Sequence, residues 1–132
     1  MKKVLIIGKT PKEEIEITRY KTLSTMCDDY GFEVIATPAD TNGEFSYGEY
    51  GELFSNIADA DIVVADVSSE SIVLGMQLKE ADVLGKPIIA LVQITVEMPQ
   101  VVESLPTIAE VLSYDNIEDI REGLLRNFTV LE

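Results

Sequence analysis

The chain has little positive charge. Ten Lys and Arg residues stand against twenty-four Asp and Glu residues, which gives 132 residues a net charge of −14 at pH 7. A surface that binds nucleic acid needs clustered basic side chains, so we expect neither DNA nor RNA as a partner. A small anionic ligand is still compatible with this charge, because amides at a helix N-terminus can hold a phosphate inside an acidic protein.

Cysteine is scarce, and long hydrophobic runs are absent. Cys27 is the single cysteine and cannot form an internal disulfide, which suits a reducing compartment, so we expect a cytoplasmic protein. The apolar run at residues 4–7 is too short for a signal peptide, and no segment approaches the roughly 20 apolar residues that cross a membrane. With 46% hydrophobic residues, we expect residues 1–132 to fold as one domain with a substantial core.

Common nucleotide-binding and signalling motifs are also missing. Gly8-Lys9-Thr10 looks like the end of a P-loop, but that motif needs a glycine five positions before Gly8, where Lys3 stands. No G-x-G-x-x-G occurs. A receiver domain would need paired acids after the first strand and a lysine after the fifth, and neither position supplies them. We therefore predict no cofactor.

What the chain does contain is a regular β-α-β pattern between residues 60 and 91. Residues 62–65 and 88–92 are continuous apolar runs, which are typical of strands buried on both faces of a sheet. Between them a set of apolar residues recurs at spacings of 4, 3 and 3, which predicts the buried side of a crossover helix: Leu74, Leu78, Ala81 and Leu84. Gly85-Lys86-Pro87 ends this helix.

Three further strands are predicted at residues 3–7, 33–37 and 110–114. We expect a helix after the first strand, with Thr10 as N-cap, Pro11 in its first turn, Cys27 on its buried side and Gly31 at its end. Residues 40–51 are predicted to be a loop that could act as a flap, followed by a helix near residues 50–58. The last helix begins at residues 115–118 and buries a set of four residues: Ile117, Ile120, Leu124 and Phe128.

Five strands that alternate with helices predict a three-layer α/β sandwich. Because crossovers are right-handed, the flavodoxin-like order 2-1-3-4-5 with all strands parallel is favoured. In that order the topology reverses between the first and third strands, and ligands bind beyond the carboxyl ends of strands at such a point. The predicted crevice is lined by Gly8, Lys9 and Thr10 on one side and by residues 66–71 on the other.

A serine-rich turn lies in this predicted crevice. Ser68, Ser69 and Ser71 stand where the third strand passes into its helix. Their hydroxyls and the free amides of the first helical turn could form an anion or ribose site. The same serines could equally do no more than cap the helix.

The same stretch resembles the nucleoside 2-deoxyribosyltransferase family, which includes nucleoside 5′-monophosphate N-glycosidases. The resemblance lies in A-D-x-V-V-A-D-V-S at residues 60–68, followed by Ser71, Gly75, a polar Gln77 and Leu84-Gly85-Lys86-Pro87, and it covers about a third of the chain. It implies a flavodoxin-like fold, a nucleoside or nucleotide ligand, and a homodimer. It also implies that Ser71 binds phosphate and that Gly75 lies at the substrate.

Gln77 departs from this family in a way that bears on catalysis. The resemblance implies a glutamate there, which attacks the anomeric carbon or stabilises an oxocarbenium-like state, and an amide can do neither. A second family acid falls at Leu53, next to Glu52. If the chain is an enzyme, Glu70, Asp66 or Glu52 would have to replace the missing carboxylate. These three acids could also hold a divalent cation, but no ligand spacing signals a metal site, so we predict none.

Two functions are therefore left open. The first is an N-glycosidase or deoxyribosyltransferase that acts on a nucleoside or its 5′-monophosphate. The second is a binding or interaction module in which Gln77 is a neutral ligand contact. Residues 124–131 could form the dimer interface, or they could be a core helix followed by a short last strand.

Overall fold

The computed structural model describes residues 2–40 and 54–131. Five parallel strands form one sheet in the order β2-β1-β3-β4-β5. They are β1 (Lys3–Ile7), β2 (Glu33–Ala36), β3 (Ile62–Asp66), β4 (Ile88–Gln93) and β5 (Ile108–Tyr114). The predicted flavodoxin-like α/β fold and its strand order are confirmed.

Helices cover both faces of this sheet. They are α1 (Glu14–Asp29), α2 (described over residues 54–59), α3 (Ile72–Val83), α4 (Gln100–Glu103) and α5 (Arg121–Leu131). One core cluster joins the sheet to α1 and α5, and a second joins it to α2, α3 and α4. No helix in the described part of the chain is both long enough and apolar enough to cross a membrane.

The predicted start of α1 is wrong by a few residues. The N-cap is Glu13 rather than Thr10, and Pro11 is buried ahead of the helix. The side chain of Glu16 accepts hydrogen bonds from the amides of Lys12 at 3.3 Å and Glu13 at 3.1 Å. This capping box satisfies amides at the helix start, so the helix begins where it forms.

Other predicted features of the helices are confirmed. Gly31 and Gly85 follow α1 and α3 with φ angles of +86° and +70°, the left-handed conformation that glycine adopts without strain. Cys27 lies in the core, and burial raises the pKa of its thiol to about 12. A thiol held protonated in this way is a poor nucleophile.

The C-terminal residues are helical to Leu131, which contradicts the predicted alternative of a core helix followed by a short strand. Residues 117–120 form a 3₁₀ turn capped by Asn116, and α5 then continues to Leu131, so a short last strand is wrong. The side chain of Lys2 donates a hydrogen bond to the Leu131 carbonyl at 2.6 Å, which supplies a partner for the end of the helix. Leu124 and Phe128 belong to the core.

Two glycines offer a matched test of backbone conformation. At both Gly75 and Gly85 an added Cβ would meet no atom within 4 Å, but only Gly85 has a positive φ. We expect Gly75→Ala to raise the free energy of unfolding by about 0.5–1 kcal/mol, because alanine favours a helix interior. Gly85→Ala should lower it by about 1 kcal/mol, because a side chain is strained there. Urea denaturation of both variants measures these changes, and a loss of stability in Gly75→Ala would contradict the open space assigned to it.

Candidate functional site

Successive residues of β3 point to opposite faces of the sheet, and this separates the residues that follow it. Ile62 and Val64 contribute to the core under α1 and α5, whereas Val63, Ala65 and Val67 contribute to the core under α3. Asp66 continues the first of these two sets. Its carboxylate therefore lies on the α1 face, and α3 lies on the other.

Gln77 lies in a small cleft on the α3 side, which we call the Gln77 cleft. Its volume is about 70 Å³. The walls come from the ends of β1 and β2, the turn after β1, and the first half of α3: Leu5, Ile6, Ile7, Gly8, Thr10, Ala36, Thr37, Pro38, Ser71, Val73 and Gln77. Of the predicted site residues, this cleft brings together Gly8, Thr10, Ser71 and Gln77.

Gln77 is nearly buried, with an exposed fraction of 4%, and its side-chain amide has no hydrogen-bond partner among the described residues. No buried side-chain nitrogen or oxygen atom of the described residues lacks a hydrogen-bond partner, so the amide group of Gln77 still reaches the solvent in the cleft. The amide of Gln77 therefore offers two donors and an acceptor to whatever enters this cleft.

Ser71 caps α3 and also lines the Gln77 cleft. Its Oγ accepts a hydrogen bond from the Leu74 amide at 3.3 Å, so the predicted capping role is present. The hydroxyl proton stays available, and the amides of Ile72 and Val73 have no acceptor within the helix, as in any first helical turn. Capping and ligand binding are compatible in this geometry.

Asp66 is held by a hydrogen-bond network on the opposite face. It is 7% exposed, its Oδ2 accepts from the Tyr114 hydroxyl at 2.6 Å, and its Oδ1 accepts from the Ser68 amide at 2.9 Å. Burial raises the pKa of Tyr114 and of Tyr20, and the charge of Asp66 raises both further. Both phenols thus stay protonated, and Tyr114 remains a donor to the carboxylate.

A polar cleft of about 190 Å³ opens beside this network. It is lined by residues of the turn after β1, of α1, and of the β3 and β4 ends: Lys9, Glu13, Ile15, Glu16, Arg19, Tyr20, Asp66, Ser68, Ser69 and Gln93. The Oγ of Ser68 accepts a hydrogen bond from the backbone amide of Gln93 at 2.9 Å, so Ser68 has a structural partner here. The guanidinium of Arg19 lies over the Tyr114 ring, 5.6 Å from its centroid.

A third, largely apolar cleft lies on the other flank of α3 and has a volume of about 370 Å³. Its walls come from the serine-rich turn, α3 and α4: Val67, Ser69, Glu70, Ser71, Ile72, Leu74, Gly75, Leu78, Pro99 and Val102. Glu70 and Gly75 therefore line this cleft and not the Gln77 cleft. Ser71 lines both.

The predicted crevice is thus divided into three clefts. Lys9, Asp66 and Ser68 line the polar cleft, Glu70 and Gly75 line the apolar one, and Ser69 lies between the two. Glu52 and Leu53, and nearly all of the predicted flap, lie outside the described residues. Within residues 2–40 and 54–131, no group of three or more His, Cys, Asp or Glu side chains could hold a metal ion.

Several residues of these clefts were not predicted from the sequence. Val73 lies one helical turn before Gln77, and Thr37 follows the strand next to β1, so their positions beside Gln77 follow from spacing and strand order. Tyr20 and Tyr114 carry no such signal. The hydroxyl of Tyr114 reaches across β4 from β5, and only the packed side chains show this.

The hydrogen bond between Tyr114 and Asp66 provides a test of the network. We expect Tyr114→Phe to lower the free energy of unfolding by about 1.5–3 kcal/mol, because a buried carboxylate loses a donor. Tyr30→Phe is the matched control, since its hydroxyl donates to a neutral carbonyl, that of Arg121, at 2.9 Å. Its loss should be about 0.5–1.5 kcal/mol. Equal losses in urea denaturation would mean that Asp66 is not held in this way.

Comparisons with known proteins support the fold. No protein-family model matches the chain, and no curated protein sequence matches it. Among solved structures, the CMP N-glycosidase BcmB from Clostridium botulinum has a TM-score of 0.74 and 19% identity, over 93% of this chain and 97% of that chain. A conserved protein from Enterococcus faecalis has a TM-score of 0.70 and 13% identity, over 98% of each chain.

A 2-deoxyribosyltransferase from Bacillus psychrosaccharolyticus has a TM-score of 0.61 and 16% identity, over 92% of this chain and 95% of that chain. Identities this low establish the fold and leave the chemistry to be argued from the site. The chain has the fold that a nucleoside N-glycosidase and a 2-deoxyribosyltransferase share, so the resemblance seen in the sequence is confirmed at the level of the fold.

Proposed function

We propose that this protein binds a nucleoside or a nucleoside 5′-monophosphate at the Gln77 cleft and leaves its N-glycosidic bond intact. The observation that carries this proposal is the side-chain amide of Gln77, which lines the cleft and has no hydrogen-bond partner among the described residues. A sugar hydroxyl can both donate to and accept from an amide, so a ribose would supply the partners that the protein does not. The small volume of the cleft means that only part of the ligand enters it.

The phosphate of a nucleotide has a place beside the sugar. Ser71 lines the same cleft, and its hydroxyl and the backbone amides of Ile72 and Val73 lie at the N-terminus of α3. These donors and the positive end of the helix dipole favour an anion, even in a chain of net charge −14. This arrangement favours a monophosphate over the parent nucleoside.

The proposed absence of cleavage is supported by Gln77 itself and by the positions of the described carboxylates. An amide at position 77 cannot form a glycosyl ester or carry the negative charge that stabilises an oxocarbenium-like state. Asp66 lies on the opposite face of the sheet and is already bound by Tyr114, and Glu70 lines the apolar cleft. Neither acid lines the Gln77 cleft, which favours a binding module over an N-glycosidase or deoxyribosyltransferase.

A single substitution separates binding from catalysis. The wild-type protein should bind a nucleoside 5′-monophosphate, with CMP as the first probe, and release no free base above background. Gln77→Glu should create base release, because it supplies the missing carboxylate. Loss of such a carboxylate from an active enzyme lowers the rate by a factor of about 10⁴–10⁶. Chromatography of the reaction mixture measures the base, and calorimetry measures the affinity.

Gln93→Glu is the matched control, because it makes the same chemical change in the polar cleft on the other face. It should leave both binding and base release as in the wild type. Turnover by the wild-type protein that survives Gln77→Ala would contradict the proposal and would place a catalytic acid elsewhere. Failure of every nucleoside and nucleoside monophosphate to bind would contradict it as well.

We also propose that two copies of the chain associate through the outer face of α3. Ile72, Met76 and Val83 recur along this helix and are 85%, 53% and 66% exposed. Lys79 stands among them and forms an ion pair with Asp82 of the same helix at 3.9 Å, so the charge of this lysine is already balanced within one copy. The net charge of −14 opposes the approach of a second copy, whereas Ile72, Met76 and Val83 offer it exposed apolar surface.

Two substitutions distinguish this face from the C-terminal residues 124–131. Met76 lines none of the three clefts, so Met76→Glu should convert a dimer into a monomer and leave ligand sites intact. Val130→Glu is the control, because Val130 is 79% exposed on α5. Sedimentation equilibrium gives the mass of each variant. A dimer that dissociates only with Val130→Glu, or a wild-type monomer at high concentration, would contradict an interface at α3.

A further inference from the structure

We propose that Tyr20, on α1, is a positioning residue that fixes the turn of Gly8, Lys9 and Thr10 and so shapes one wall of the Gln77 cleft. The inference rests on the proposed function, because the cleft is where we place the ligand. Tyr20 itself does not line that cleft. Its effect on a ligand would be transmitted through the turn.

Two independent contacts join Tyr20 to this turn. Its hydroxyl donates a hydrogen bond to the Lys9 carbonyl, with 2.9 Å between the oxygens. The same hydroxyl occupies the space beside Gly8, since a Cβ built on Gly8 would lie 2.3 Å from the Tyr20 oxygen and 3.2 Å from the ring carbon that bears it. One contact draws the backbone toward α1, and the other leaves no room for a side chain at position 8.

Tyr20 cannot easily move out of the way. Its ring is buried between α1 and the sheet, among core residues that include Leu23 and Val4. Burial and the neighbouring charge of Asp66 raise the pKa of the phenol, so the hydroxyl remains a donor at any physiological pH. A rigid ring at the end of a buried side chain is a fixed point against which the turn is held.

The turn exposes different residues to the two sides of the sheet edge. Gly8 and Thr10 line the Gln77 cleft, whereas Lys9 lines the polar cleft next to Tyr20. The backbone of Lys9 is therefore part of the turn beside the Gln77 cleft, whereas its side chain lies at the polar cleft. We therefore expect the loss of a hydroxyl on the opposite face of the sheet to weaken binding in the Gln77 cleft.

The closing experiment is a double-mutant cycle between Gly8 and Tyr20, read by calorimetric titration with CMP. Tyr20→Phe should weaken binding about three- to tenfold, the factor that one ordinary hydrogen bond converts to. Gly8→Ala should weaken binding more than Tyr20→Phe does, because the added Cβ would overlap the Tyr20 oxygen. The double variant should bind better than Gly8→Ala alone, since Tyr20→Phe removes the overlapping oxygen.

Tyr30→Phe controls for a general loss of stability, because its hydroxyl bonds to Arg121 in another part of the core. It should leave the affinity for CMP unchanged at a temperature well below its unfolding midpoint. The proposal is overturned if Tyr20→Phe binds as tightly as the wild type, if Tyr30→Phe weakens binding equally, or if Gly8→Ala and Tyr20→Phe add without rescue.

A second measurement keeps this proposal separate from the proposed function. Backbone amide NMR signals of Gly8, Lys9 and Thr10 report the conformation of the turn in the absence of any ligand. They should shift or broaden in Tyr20→Phe and stay unchanged in Tyr30→Phe. If CMP fails to bind the wild type, the proposed function falls, and these signals decide the role of Tyr20: an unchanged turn in Tyr20→Phe overturns it.

Discussion

Strand β3 lies at the centre of the sheet, with β1 on one side and β4 on the other and with helices over both faces. All five of its residues are buried, so each side chain has to pack into one helical layer or the other. This alternation continues past the end of the strand and sends Asp66 and Val67 to opposite faces. The chemistry available at the sheet edge is therefore divided by the sheet itself, and residues adjacent in sequence belong to different clefts.

The acid on β3 has a structural role as a consequence. Asp66 accepts hydrogen bonds from the hydroxyl of Tyr114 and the backbone amide of Ser68, and the bond from Tyr114 connects the ends of β3 and β5 across β4. Each oxygen of this carboxylate already accepts a hydrogen bond from the protein, and the carboxylate lies on the face of the sheet opposite α3. One of the three acids that the sequence offered as a replacement catalytic carboxylate thus holds the sheet edge together.

The start of α3 combines stability and recognition in one turn. Ser71 satisfies the Leu74 amide and still faces the cleft that contains Gln77, so the choice between a cap and a ligand contact does not arise. Gln77 adds a side-chain amide that lines this cleft and that no described residue engages in a hydrogen bond. A neutral hydrogen-bonding group beside a helix N-terminus suits recognition of a sugar phosphate and lacks the negative charge that glycosidic cleavage needs.

The sequence by itself determined the architecture, because apolar runs, helical spacing and right-handed crossovers depend on local patterns that the structure repeats almost residue for residue. The core position of Cys27, the glycine ends of α1 and α3, and the placing of Gly8 and Ser71 at one sheet edge followed from it. Only the tertiary structure decided which predicted residues share a cleft. That depends on the face to which each strand end points and on long side chains such as Tyr20 and Tyr114, whose reach across neighbouring elements no local pattern encodes.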